Sequence, residues 1–189
     1  MLAYLRVVHS LEDSPALQRV LNVPNRRMGK ERISVLVKKA EAKNQMLWDS
    51  VQAMLTGEIK FDKPAAENMA AFVRCVTGVR AKFASNEIVH VSDLIDYLRK
   101  TLNYDEYLRK KFGAEADERI GNLEELKTFA KEVIRVTEEN PLPEIGVPDA
   151  STEQESALAQ FLGNIALMTD VRDNDEDKLD YVCYFSQSL

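Results

Sequence analysis

The chain has 189 residues, 31 acidic and 25 basic side chains, a formal charge of −6, and 45% apolar against 30% charged residues. That balance is ordinary for a globular protein, and 7 glycines and 6 prolines are too few for a collagen-like or low-complexity chain. No apolar run approaches the roughly 20 residues of a membrane helix, and no secretory signal pattern follows Met1. The two cysteines, Cys75 and Cys183, make neither a disulfide framework nor a zinc motif, so an intracellular, reducing location is expected.

At face value the acidic total argues against a nucleic-acid partner. Along the chain, however, the charge is graded. Residues 1–43 hold nine bases and four acids, whereas residues 113–189 hold six bases and eighteen acids. A basic front of this kind points to an anionic partner at one end, and the acidic back to a basic one.

The apolar period is 3.6 residues almost throughout, so the chain reads as all-α. Leu2, Leu5 and Val8 open the first helix. Ser14 as N-cap and Pro15 in the first turn start a second, lined by Leu17, Val20 and Leu21, and Asn22-Val23-Pro24-Asn25 breaks it. A third helix is predicted from Lys30 to Lys43, with Ile33, Leu36 and Val37 inward. A fourth carries Leu47, Trp48, Val51 and Leu55 and stops at Gly57. After a loop over 58–63, Pro64 opens a long helix with Met69, Phe72, Val76, Val79 and Phe83 on one stripe.

Ser85 is the expected cap of a helix striped by Ile88, Val91, Ile95, Leu98 and Leu102. A short helix follows with Tyr104, Tyr107, Leu108 and Phe112. A long one carries Ile120, Leu123, Leu126, Ala130, Val133 and Ile134 to about Asn140, where Pro141 and Pro143 forbid continuation. The segment 141–150 reads as a loop, Ser151 to Gln154 has capping-box spacing, and Leu158, Phe161, Leu162 and Ile165 mark a last helix. Residues 1–169 therefore form one irregular multi-helix bundle of about eight or nine helices. Residues 170–189 are an acidic tail expected to be disordered.

Chemistry is sparse. There is no GxxxxGK[ST] loop, GxGxxG, GxSxG or HExxH, and neither His9 nor His90 has partners at metal-ligand spacing. Asp105-Glu106 lacks the buried strand that normally presents a magnesium-holding acidic pair, and Trp48 lies on an apolar stripe as a core residue would. The one constellation with a binding mechanism is Pro24-Asn25-Arg26-Arg27-Met28-Gly29-Lys30-Glu31-Arg32, between two helices. Its four bases lie within seven residues, and Gly29 and Lys30 stand at the entry of the third helix, where free backbone N–H groups favour an anion. Such a hairpin can hold a nucleic-acid phosphate without reading a base, although a solvated basic loop has the same composition.

From Leu2 to Ile33 the sequence LAYLRVVHSLEDSPALQRVLNVPNRRMGKERI resembles the opening of the accessory 2B subdomain of UvrD/Rep/PcrA-type superfamily 1 DNA helicases. Leu47-Trp48, the segment ERIGNLEEL (Glu118 to Leu126) and LAQFLGNIALMTD (Leu158 to Asp170) continue the resemblance in register to about residue 175. The NVPNRR form and the Leu47-Trp48 pair are similar to the eukaryotic recombination-regulating members. The resemblance implies a subdomain inserted in the second motor lobe, swivelling between open and closed states. Its hairpin would contact the backbone of duplex or junction DNA through Arg26, Arg27, Met28, Gly29, Lys30 and Arg32.

One departure stands out: the first glycine of the family's GIG is Arg27, which costs ~1 kcal/mol or more where a positive φ is required. ATP and Mg2+ would belong to the parent helicase. No cofactor is expected in this chain, which carries no ATP-handling motif and is expected to be inactive alone, as a fragment or remnant of a 3′–5′ motor. Its partners would be DNA, the remaining motor lobes and a possible protein partner, in the nucleus if the source is eukaryotic and the cytoplasm otherwise. The alternative is a stand-alone all-α protein-interaction module that uses its acidic C-terminal half.

Overall fold

A computed structural model describes residues 1–139 and 157–167, and every regular element among them is helical. In chain order these are α1 (Leu2–His9), α2 (Ser14–Val20), α3 (Lys30–Lys43), α4 (Leu47–Leu55), α5 (Lys63–Ala84), α6 (Val91–Thr101), α7 (Tyr104–Phe112), a 3-10 turn (Gly113–Glu115) and α8 (Ala116–Glu139). A further helix, α9, covers 157–167. The loop expected at 141–150, the capping box at 151–154 and the tail at 170–189 lie outside the described residues. None of the described helices is long and apolar enough to cross a membrane.

The chain divides into two units, one of Leu2–Arg80 and the other from Ala81 onward. In the first, the predicted stripes meet around Phe72 of α5. Its ring lies 6.3 Å from that of Tyr4 and 6.4 Å from that of Trp48. Leu5, Leu17, Leu21, Leu36, Val51, Met69 and Val76 are buried with them. Each such side chain contributes about 1.5–3 kcal/mol by leaving water.

In the second unit Val91, Leu94, Ile95 and Leu98 of α6 are buried, as are Leu108 of α7, Leu123, Leu126 and Ala130 of α8, and Leu158 and Phe161 of α9. Phe129 and Phe161 pack with ring centroids 5.8 Å apart. Arg99 on α6 ties this unit together. It pairs with Asp105 of α7 (Nη2–Oδ2 2.9 Å) and with Glu124 of α8, and those bonds raise its pKa above the ordinary arginine value. Asp105 and Glu106 thus serve as partners of Arg99 and Lys110.

Two expected caps move. The cap of α2 is Asp13, one residue before Ser14: its Oδ1 accepts the Ala16 N–H at 2.9 Å while Oδ2 takes Arg6 at 2.7 Å. A carboxylate here also complements the helix dipole. Asp13→Ala should therefore cost about 1 kcal/mol, read as a lower urea midpoint with unchanged slope. Ser85 is not the cap of α6. α5 runs on to Ala84, Asn86 turns the chain at φ 59°, and His90 occupies the cap position of α6, where it is exposed. Ile88 is accordingly a buried turn residue rather than a helical one.

Gly57 follows α4 with φ +84°, a left-handed position open to glycine without strain. Asn44 does the same after α3 at φ 50°, and Asn103 precedes α7 at φ 47°.

Candidate nucleic-acid interface

The turn between α2 and α3 spans residues 21–29 and is organised by side chains that face inward. α2 stops at Val20, and its last carbonyls take N–H groups of the turn itself, Leu21 N–H donating to Leu17 at 3.0 Å and Val23 N–H to Val20 at 3.1 Å. Arg26 adds to these bonds from inside the turn. Its Nη1 donates to the carbonyls of Val20 at 2.8 Å and Val23 at 3.0 Å, and its Nη2 donates to the Tyr4 hydroxyl at 2.6 Å. The Tyr4 hydroxyl in turn donates to the Val23 carbonyl. The Arg26 guanidinium also sits 4.7 Å from the centre of the Phe72 ring, and the residue is only 8% exposed. A cation in that place adds charge-assisted donors to the carbonyls at the end of α2 and complements the negative end of its dipole. Arg80 does the equivalent for α1, donating to the carbonyls of Val8 and His9.

Asn22 shapes the rest of the turn. Its Oδ1 accepts the N–H groups of Arg26 (2.8 Å) and Met28 (3.0 Å), pinning the loop across six residues. Asn25 Oδ1 accepts the Arg27 N–H at 2.9 Å. The Val23–Pro24 peptide is cis. Met28 plugs the turn into the core and is completely buried.

Arg27 adopts φ 61°, and among the described residues it is the only positive-φ residue that is neither glycine nor asparagine. A left-handed backbone, which glycine adopts most readily, is thus present with an arginine in it. The side chain is exposed.

Gly29 is the N-cap of α3 at φ −65° and ψ 168°, and no side chain caps the helix start. Nothing lies within 4 Å of the place its Cβ would occupy. Neither backbone angle nor internal packing requires glycine there. Lys30 beside it is exposed. Arg32 is engaged with Asp62 and lies 5.7 Å from the Phe61 ring centre.

The six residues singled out in the sequence therefore separate. Arg27, Gly29 and Lys30 share the outer surface of the turn. Arg26 and Met28 stand inside it, and Arg32 is held on its flank. The Arg26 guanidinium is buried and its Nη1 and Nη2 donate inward, so its part is to support the turn. Sequence reasoning missed Tyr4, Asn22, Asn68 and Phe72 as makers of this turn; Asn68 Nδ2 reaches the Arg26 carbonyl at 3.5 Å. The break at Asn22-Val23-Pro24-Asn25 was the available signal, since asparagine next to proline favours a side-chain-stapled turn. Among the described residues no group of three His, Cys, Asp or Glu side chains could hold a metal ion, so no step through Mg2+ is built on this chain.

No protein-family model matches the chain. Curated relatives do. DNA helicase II of Haemophilus influenzae is 27% identical over 166 residues, covering 88% of this chain and 20% of that protein. The ATP-dependent DNA helicase PcrA of Staphylococcus epidermidis is 23% identical over 175 residues, covering 93% and 21%. The PcrA of Staphylococcus aureus strain Mu50 is 23% identical over 180 residues, covering 94% and 22%. The chain is similar to DNA helicases of the PcrA/UvrD type. It spans about a fifth of the length of these relatives while matching them over most of its own.

Proposed function

We propose that this chain is a non-catalytic, 2B-like subdomain of an ATP-dependent 3′–5′ DNA helicase. It contacts the sugar–phosphate backbone of duplex or junction DNA through the turn between α2 and α3, and by that contact regulates unwinding. Arg27 and Lys30 supply charge, the uncapped N-terminus of α3 and the bare Gly29 backbone supply N–H groups, and Arg26, Met28 and Arg32 hold the turn. The observation that carries this reading is the composite state of the turn. An arginine is kept at a strained φ facing outward, beside a glycine that the fold itself does not need.

The remaining motor lobes and DNA repair or recombination intermediates are the partners that follow. Assignment to the eukaryotic recombination-regulating members, with a nuclear location, rests on the NVPNRR form and the Leu47-Trp48 pair alone. Both residues of that pair are core.

Fluorescence anisotropy of the full chain on a labelled duplex–single-strand junction, from low to physiological salt, tests the proposal. With two or three phosphates neutralised, log K should fall with log [salt] at a slope of roughly −2 to −3. Gly29→Ala should leave folding within about 1 kcal/mol yet weaken binding several-fold, because a methyl group keeps the phosphate from the backbone. No binding at the lowest salt, or Gly29→Ala binding like the wild type, would sink the backbone-contact role.

A further inference from the structure

We infer that the DNA contact does not end at the turn but continues along the outer face of α3, where Ser34 and Lys38 guide the same phosphate strand. This rests on the backbone-contact reading above and adds residues to it. The bases of α3 fall into two sets. Arg32 pairs with Asp62 and Lys43 with Glu58, both on the flank beside the segment after α4. Lys30, Lys38 and Lys39 are exposed and have no carboxylate partner among the described residues.

Lys30, Ser34 and Lys38 recur every fourth residue and so lie in one line along the helix. At 1.5 Å per residue that line runs about 12 Å, enough for two or more successive phosphates of one strand. Lys30, Glu31, Ser34, Val35 and Lys38 line a shallow depression on this face. Its small central hydroxyl lets a strand approach between the two lysines and can donate to a phosphate oxygen. Val35 remains 48% exposed beside it, a placement that suits contact with deoxyribose. Among the residues lining the depression, Glu31 carries the opposing charge. It favours the helix N-terminus electrostatically but repels the strand, so it holds the affinity of the track down.

The charge pattern fits a polyanion with regularly spaced phosphates, and duplex DNA is the probe. Anisotropy of the full chain on a 20-base-pair duplex should show Lys38→Ala weakening binding about five-fold and lowering the magnitude of the salt slope by about 1. Ser34→Asp should weaken it further, and Glu31→Gln should tighten it two- to three-fold. Lys43→Ala, which removes a paired base on the other flank, should change little. If Lys38→Ala and Ser34→Asp behave like Lys43→Ala while Arg27→Ala and Lys30→Ala weaken binding, the track is wrong and the turn contact stands. If none of Arg27→Ala, Lys30→Ala, Ser34→Asp and Lys38→Ala weakens binding, the backbone-contact reading itself falls.

Discussion

Arg26→Ala is expected to destabilise the Leu2–Arg80 unit by about 2–4 kcal/mol, the range for breaking a buried hydrogen-bonded network. The substitution strips partners from the carbonyls of Val20 and Val23, from the Tyr4 hydroxyl and from the face of Phe72 in one step. Urea unfolding followed by tryptophan fluorescence reads this directly, because Trp48 is the only tryptophan of the chain and sits 6.4 Å from Phe72. Arg26→Lys should recover less than half of the loss, since a point ammonium cannot span two carbonyls and a hydroxyl as the fork does. Tyr4→Phe should cost about 1–2 kcal/mol and be strongly non-additive with Arg26→Ala, because the second change removes a partner already lost. Additive costs would show that the two side chains act independently. Loss of DNA binding in Arg26→Ala would thus report a collapsed turn, not a missing phosphate contact.

The second large effect is a split at Arg27. Arg27→Gly should raise stability by about 1 kcal/mol, because glycine adopts φ 61° without the clash an L side chain meets there. The same change should weaken binding to duplex DNA about five- to ten-fold through loss of one phosphate-directed guanidinium. Arg27→Ala removes the charge but keeps the backbone strain, so it should bind as weakly as Arg27→Gly while remaining near wild-type stability. Urea midpoints and anisotropy on the same three proteins separate the two effects. A destabilised Arg27→Gly, or one that binds as well as the wild type, would show that the arginine is held for packing and not for a ligand.

Much of the fold was legible because its stripes are locally consistent. The helix expected from about Lys30 to Lys43 is α3, since it starts beyond a proline-bearing break and ends where Asn44 takes a left-handed turn. Trp48 was readable as core for the same reason: it stands in line with Val51 on one face of α4. The caps slipped where two candidates adjoin. Asp13 and Ser14 both suit an N-cap, and only the position of Arg6 across the turn favours the carboxylate. At Ser85 the periodic pattern of α5 and that of α6 overlap in phase, so Ile88 looked helical although it plugs a turn.

The candidate site was legible as a segment and not as a set of roles. Counting four bases treats every guanidinium as solvent-facing. Whether one turns inward depends on carbonyls and a hydroxyl that converge only once α2 has ended at Val20 and Tyr4 of α1 lies alongside. Composition cannot show that geometry, and so Arg26 and Arg27, neighbours of the same type, have opposite places. Met28 did carry a clue: an unbranched apolar residue among charges in a short turn is more naturally a plug than a ligand contact. Arg27 is the converse case, where the departure from a glycine pattern falls on an exposed residue that does take a positive φ.

In the proposed role, the turn at the start of α3 touches nucleic-acid phosphate through its backbone. The most direct measurement is a titration of the isotopically labelled full chain with a short duplex, followed by amide nuclear magnetic resonance at low salt. The earliest and largest shifts should fall on the amides of Arg27, Gly29, Lys30 and Glu31, with those of α6 and α7 unmoved. Shifts confined to the unit beginning at Ala81, or none at saturating duplex, would contradict it.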